Sequence, residues 1–526
     1  LKKLSPDRFE DVIAMISLYR PGPMEYIDNY VKRKNGEEDI IYLHPKLESV
    51  LSETYGITIY QEQVMKIAQI LAGFTLSQAD TLRWAMGKRK RSLMSSLKKD
   101  FIDGCIKNNV KEYQAESIFK QVETFAGYGF NKSHAAGYAL IAYQTAFLKA
   151  NFPVEFMTAS INYELNNTDK INKYLDDIKN MNIKILKPNI NYSDSFFTIE
   201  LDEKNKKAIR YGLSGLKNVG SGSTSKIVKE RKKGGKYKNI NDFCKRLNDE
   251  NINIRQLEFL IKSGSFDELD DNRSNLFNNI NKIVQIIRDN GKNINQNNLF
   301  SDNLEDNNII NLNYESKVWS KSAKLNFEYE ALGFYLTQHP LEDFKIFLKR
   351  NNFLTFKEIE EKMVNVKNEE KFFFKIAALP IDSKERTSKK GNKYAYIQFS
   401  DNTSNFEAIV FSDILNSSNE LIKNHDLVLL NLEVAKNENN INLRVQEVVS
   451  LRQFLNDSNK KIKILANENI DIKKLKNHLN KYKNDNGSEV RLLVELNRKL
   501  VNIFIPGRYD FFNLINNKTE DIKFLN

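Results

Sequence analysis

The stretch Gly215-Leu216-Lys217-Asn218-Val219-Gly220-Ser221-Gly222, followed by the lysine-rich run SKIVKERKK, has residue types and spacing suited to holding an anion. Gly220 and Gly222 carry no Cβ, so a ligand can approach their backbone closely. A helix that starts there leaves its first N–H groups without intrahelical partners, at the positive end of the helix dipole. Lys217 and Lys226 add positive charge on either side. An apolar residue before Gly-x-Gly and a basic helix after it form the helix-hairpin-helix pattern, which grips a DNA phosphate without reading base sequence. The bland alternative is a turn that only links helices. A second, degenerate copy is read at Ile261-Lys262-Ser263-Gly264-Ser265.

Phe125-Ala126-Gly127-Tyr128-Gly129-Phe130-Asn131-Lys132-Ser133-His134 gathers a glycine turn, three aromatics, an amide, a cation and a histidine ahead of an apolar run. Aromatic faces and a cation at a helix start suit a base and a phosphate, and Ser133 is the expected cap. A lone histidine in such a place is otherwise structural. Lys88-Arg89-Lys90-Arg91, with Arg83 before it, ends an expected helix. Cations are favoured there by the dipole and often form only a solvated face; a phosphate-facing role stands on equal terms. Gln296-Asn297-Asn298-Leu299-Phe300 sets a Leu-Phe pair alone in a polar segment. Apolar side chains so placed fill a pocket elsewhere, with Gln296 bonding at its rim, unless the pair is a chance one or a local staple.

One pattern is missing. Phosphoryl transfer by two Mg²⁺ ions needs paired carboxylates, spaced Asp-x-Asp on a strand, and no apolar strand of the sequence carries them. The acidic stretch Asp267-Glu268-Leu269-Asp270-Asp271 reads as a loop, and Cys105, Cys244 and the five histidines show no zinc spacing. This reading places no metal site and no catalytic residue in the chain.

The elements that must position these residues are legible in outline. Residues 1–165 read as mainly helical, with a turn at Arg20-Pro21-Gly22-Pro23, helices at Gln61 to Ala72 and Ser77 to Met86, and a buried helix from Ala135 to Ala150, apolar nearly all round, that ends before Pro153. Residues 166–285 are mixed, with a loop at Lys187-Pro188-Asn189 and strand-like alternation from Tyr192 to Leu201, and 166–300 form one region around the glycine turn and the Leu-Phe pair. The Asn-rich composition of 286–325 reads as a linker, and 301–370 as that linker with a helical connector, EYEALGFYL. Residues 371–455 change period: five strand-like runs, with a helix near Asp413 to Leu421 between the third and fourth, follow the plan of an OB-fold. Residues 456–526 alternate again as a small α/β module. The fold class is therefore multidomain α+β.

Composition agrees with a cytoplasmic, polyanion-binding chain. Its 526 residues suffice for roughly three to five domains. Eighty Lys and Arg oppose 68 Asp and Glu, a net charge of +12. That excess suits nucleic acid as well as a merely solvated surface. Two distant cysteines fit a reducing compartment, no apolar run suits a membrane, and no stretch reads as a signal peptide. The chain opens on Leu1 in mid-pattern, which reads as a start inside a longer sequence.

Five blocks, LYRPGPM, YGITIYQEQVMKIAQ, LRWAMGKRK, FAGYGFNKSHAAGYALIAYQTAFLKA and YEALGFYLTQHP, resemble the fingers and following regions of the bacterial DNA polymerase III alpha subunit, a C-family replicative polymerase, in the family's order. The resemblance spans nearly all 526 residues, strongest in 1–160 and architectural after about 455. It implies a DNA-directed DNA polymerase, a nucleotidyltransferase, of which this chain supplies fingers, duplex binding, clamp docking and OB-fold. The palm, with its carboxylates and Mg²⁺, is missing, so the chain alone would not extend a primer. Arg83 and Lys88 become candidate dNTP triphosphate contacts; Asn131, Lys132, Ser133 and His134 become candidates to line the nascent pair. The family often carries two adjacent arginines where this chain has Arg83-Trp84. Lys217, Gly220, Gly222 and Lys226 fall on its helix-hairpin-helix, which holds primer–template duplex. Gln296, Leu299 and Phe300 fall on its motif for the sliding clamp, the beta subunit. The OB-fold lies where single-stranded template is handled, and the terminal module where the clamp-loader tau subunit is met. The alternative is a stand-alone DNA- and clamp-binding scaffold that does no chemistry.

Overall fold

A computed structural model describes the chain except residues 88–90, 127–128, 166, 248–251, 296–316, 365, 367–369, 389–390, 392, 438–439, 457–460, 467–470, 497–498, 517–522 and 525–526. It divides into two units, Leu1–Phe156 and Met157–Asn526.

In the first unit, the expected helices form at Gln61–Ala72 and Leu76–Gly87, joined by Arg91–Lys107 and Glu112–Ala126. Apolar side chains at helical spacing, among them Leu71, Leu82, Phe101 and Phe119, make one core between these four helices. Each such side chain contributes about 1.5–3 kcal/mol of transfer free energy. A second core joins the helix Phe9–Leu18 to Tyr30, Ile57, Ile59, Tyr60, Ala135 and Ala139. The prolines end the first helix as expected: Gly22 takes φ +100° and Pro23 opens a 3₁₀ turn to Tyr26.

The helix Lys132–Asn151 departs from its expected burial. Only Ala135 and Ala139 are buried, while Tyr138, Leu140, Ile141, Tyr143, Phe147 and Leu148 stay exposed. The helix Phe9–Leu18 covers its first half, with Phe9 edge-on to Tyr143 at 6.2 Å between ring centroids. An apolar stripe all round a helix demands cover on every side, and the described residues supply it on one.

The second unit begins with a small sheet in which Lys207–Arg210 lies between Ile185–Leu186 and Thr198–Leu201. The alternation expected from Tyr192 becomes strand only at Thr198, because residues 191–197 turn around Asn189 and Ser193. Helices Ser221–Gly234, Ile240–Arg246, Ile254–Lys262, Arg273–Asn278 and Ile280–Asn295 follow. The last runs ten residues into the expected linker, since Ile283, Val284 and Ile287 give it an apolar stripe to bury. The connector forms the helix Lys321–Leu332.

The five expected strands close into a barrel. Its order is 371–387, 393–400, 405–411, 440–450, 428–437 and back to the first. The helix Ser412–Lys423 sits between the third and fourth strands in sequence. Inward positions such as Ile397, Phe399, Val410, Leu430 and Val445 fill it. The terminal module is a four-stranded sheet, ordered 499–509, 483–496, 461–466, 523–524. Its Tyr509, Phe511 and Leu514 share one core with Phe344 and Phe347 of the connector and with Ala377 and Leu429 of the barrel. Both cysteines are buried, and burial pushes the Cys105 and Cys244 thiols up to about 11 and about 12.

At Gly104 the helix Arg91–Lys107 passes close to the end of the helix Gln61–Ala72. A Cβ there would lie 2.2 Å from the carbonyl oxygen of Ala72. Gly104→Ala is therefore expected to cost about 1–3 kcal/mol in denaturant unfolding; an unchanged midpoint would mean that the helices have room to part.

Candidate nucleic-acid interface

The Gly129–His134 turn is fastened to the start of the helix Gln61–Ala72. Residues Ile57–Tyr60 run extended into that helix, and the buried Gln63 amide holds them. Its oxygen accepts the N–H groups of Ile59 and Tyr60 at 2.8 and 2.9 Å; its nitrogen donates to Thr54 Oγ1 at 2.9 Å and the Val50 carbonyl at 3.3 Å. Phe130 then pairs alongside: its N–H donates to the Ile59 carbonyl at 3.1 Å, and its carbonyl accepts from Gln61 N–H at 3.0 Å.

Four side chains complete the attachment. Gln61 Nε2 donates to the Gly129 carbonyl at 3.0 Å, and Gln61 Oε1 accepts from an Arg83 guanidinium nitrogen at 3.4 Å. Both Glu62 oxygens accept the Lys132 N–H at 3.1 Å. The Lys132 ammonium lies 2.7 Å from the Glu53 carboxylate and 5.5 Å from the centre of the Tyr60 ring. Arg83 is also paired with Asp80 at 2.8 Å and keeps about a third of its side-chain surface, 35%, in solvent. His134 meets Tyr138 edge-on at 4.9 Å, and the Arg20 guanidinium sits 4.5 Å over the Phe130 ring.

Arg83, Asn131, Lys132 and His134 thus belong to one neighbourhood, with Ser133 exposed beside them on the first turn of the helix. Lys88 lies outside the described residues. The cap differs from expectation. Asn131 is extended (φ −73°, ψ 118°) and its Oδ1 accepts the His134 N–H at 2.8 Å, whereas Ser133 stands inside the helix. Arg20, Gln61, Glu53 and Glu62 escaped the sequence reading; the prolines after Arg20 and the Gln-Glu pair opening a helix were their only local signals. Asn131→Ala is expected to lower stability by about 1 kcal/mol and Ser133→Ala by under about 0.5 kcal/mol. Equal losses in chemical denaturation would return the cap to Ser133.

The glycine turn of the second unit opens outward. Gly220 is the cap residue of the helix Ser221–Gly234, and a Cβ at Gly220 or Gly222 would meet nothing within 4 Å. No described atom requires a glycine at either place, and Ser221 and Gly222 at the helix start are exposed, so a ligand has room to approach the backbone there. Asn218 makes the turn at φ +62°, and Lys217 N–H anchors it to the Ala331 carbonyl at 3.0 Å. Lys226 is exposed one turn on. Part of the basic run serves the fold instead: Arg231 donates to the Ile190 and Ser193 carbonyls at 2.8 and 2.7 Å, and Lys232 pairs with Asp194 at 3.0 Å.

The degenerate second copy faces inward. Residues Ile261 to Ser265 are buried, and Gly264 takes φ +78° beneath the Arg273 guanidinium, itself held by Asp267 at 2.6 Å. No phosphate can reach that turn. Gln296, Leu299 and Phe300 lie outside the described residues. Among the described residues no group of three or more His, Cys, Asp or Glu could hold a metal ion, and no helix is long and apolar enough to cross a membrane.

Comparison with known proteins gives these two regions a common setting. Residues 1–109 match the family model for the bacterial DNA polymerase III alpha subunit finger domain, and residues 182–276 match the helix-hairpin-helix motif. The DNA polymerase III subunit alpha of Borreliella burgdorferi is 46% identical over 350 residues, which is 66% of this chain and 30% of that protein. Those of Rickettsia bellii and Buchnera aphidicola are 36% and 35% identical, over 96% and 100% of this chain and 44% and 46% of their own lengths. The chain thus spans under half the length of these relatives. It belongs to the bacterial DNA polymerase III alpha subunit family.

Proposed function

We propose that the chain serves DNA-templated DNA synthesis, as the part of a replicative polymerase that meets the incoming dNTP, grips the primer–template duplex and docks the sliding clamp. The observation that carries this reading is the meeting of Arg83 and the Gly129–His134 turn on Gln61. A guanidinium for phosphates and an aromatic, amide-bearing turn for a base pair then share one face. Lys132, paired with Glu53, and Arg83, paired with Asp80, keep similar shares of their side chains in solvent, so Arg83, Lys88, Asn131, Lys132, Ser133 and His134 are the proposed nucleotide-side contacts.

Duplex is held at the Gly220–Gly222 turn, where backbone N–H groups with Lys217 and Lys226 suit a phosphate. The barrel is read as an OB-fold for single-stranded template. Exposed Phe373, and Phe411 with the Arg444 guanidinium 4.5 Å over its ring, offer stacking faces with positive charge. The terminal module is the proposed contact for the clamp-loader tau subunit, in the cytoplasm. The carboxylates of this site are engaged by other groups, Asp80 by Arg83, Glu53 by the Lys132 ammonium and Glu62 by the Lys132 backbone N–H, so none of them is proposed as a magnesium ligand. No step through the metal is derived from them.

DNA binding by the chain should weaken with salt with a log–log slope of about −0.9 per phosphate contacted, and Lys226→Ala should make that slope shallower by about one. Fluorescence anisotropy with unrelated duplexes checks it; a flat salt response would remove the duplex role. Clamp docking through Gln296, Leu299 and Phe300 has its own test. Replacing Leu299 and Phe300 with Ala should cost about 1.5–3 kcal/mol per anchor, abolishing micromolar clamp binding while clamp-independent extension by the whole subunit survives. Equal clamp affinity in the two proteins would make QNNLF a linker sequence only.

A further inference from the structure

Resting on the dNTP reading above, we infer that Gln61 is a positioning residue, setting the distance between the cation that meets the triphosphate and the turn that meets the base pair. Arg83 and the Gly129–His134 turn belong to different elements, and among the hydrogen bonds described here one side chain joins both. Gln61 Nε2 donates to the Gly129 carbonyl at 3.0 Å while its Oε1 accepts from Arg83 at 3.4 Å. Its backbone N–H holds the Phe130 carbonyl at 3.0 Å as well. The side chain is half-buried at the first position of its helix, and Gln63 fixes the residues just before it.

An amide suits this position because it donates on one side and accepts on the other. A carboxylate would hold Arg83 more strongly and lose the bond to Gly129; leucine would fill the space and make neither bond. Asp80 holds the same guanidinium from its other side, through Nε at 2.8 Å. Without Gln61, Arg83 keeps only the partner on its own helix, and its head is no longer referred to the turn. An error of a fraction of an ångström between two groups that grip one nucleotide is expressed in nucleotide use, not in folding or in DNA affinity.

The test is single-nucleotide insertion by the alpha subunit carrying this sequence, with Gln61→Leu, Gln61→Glu, Arg83→Ala and the Gln61→Leu/Arg83→Ala pair. Gln61→Leu is expected to raise KM for dNTP about tenfold, with kcat within about twofold and the thermal midpoint and DNA affinity unchanged. Gln61→Glu should fall between wild type and Gln61→Leu. The double variant should raise KM by less than the product of the two single effects, because part of what Gln61 does passes through Arg83. An unchanged KM in Gln61→Leu beside a raised KM in Arg83→Ala would overturn the inference and leave the dNTP reading standing. So would a double effect equal to the product. An unchanged KM in Arg83→Ala would overturn the dNTP reading, and with it anything for Gln61 to position.

Discussion

The two backbone hydrogen bonds that Phe130 exchanges with Ile59 and Gln61 are the constraint on which the first unit's interface depends. They form one isolated parallel bridge in a mostly helical unit, Phe130 bonding the residues on either side of Tyr60. Everything nearby is referenced to them. The Gly129 carbonyl comes within reach of Gln61, Asn131 is placed to cap the next helix, and Lys132 falls against Glu62 and Glu53. Beneath them, the Gln63 amide oxygen holds the extended segment that receives Phe130, while its nitrogen ties that amide to Thr54 and Val50. A buried amide so fully bonded is costly to disturb, since removing it strands several polar groups at once.

What the sequence revealed depended on whether the signal was periodic or local. The helix from Gln61 and the five barrel strands were legible because apolar spacing of 3.6 or 2 reports a face that must be buried. The glycine turn at Gly220 was legible from residue types alone. Burial was not: the stretch after Ala135 has the composition of a core helix, yet sequence cannot say whether a neighbour lies on each side. Nor could it say that Ile261–Ser265 turns inward, since that depends on where Arg273 lands. The Asn131 cap was missed for a subtler reason. Asn and Ser are both good caps two residues apart, and the choice follows from the backbone angle that the Phe130 pairing imposes. Gln61, Glu53 and Glu62 carry no motif; their importance is a matter of which segments meet.

In the second unit, the barrel and the terminal sheet are tied by apolar surface. Phe344 and Phe347, from the short elements before the barrel, enter the same core as Phe511 and Leu514 near its far end in sequence. Buried aromatics of that size bind elements together more firmly than surface ion pairs, which are worth about 0–1 kcal/mol. The glycine turn, by contrast, is held by backbone and hydroxyl bonds on its inner side, from Lys217 to Ala331 and from Tyr211 to Gly215, and is left open at Gly220 and Gly222. The unit thus joins a well-packed scaffold to an outward-facing loop, the usual division between what holds shape and what meets a ligand.

Both cysteines are buried, with thiols pushed well above neutrality. The thiolate is the reactive form, and a thiol with a pKa of about 11 or 12 supplies almost none of it at pH 7. The natural chain is therefore nearly silent to maleimides and iodoacetamides while folded. One cysteine introduced on the surface, for example at Ser133 or Ser221, would be its sole labelling site, and a dye or spin probe could be placed at either face without first removing a native thiol.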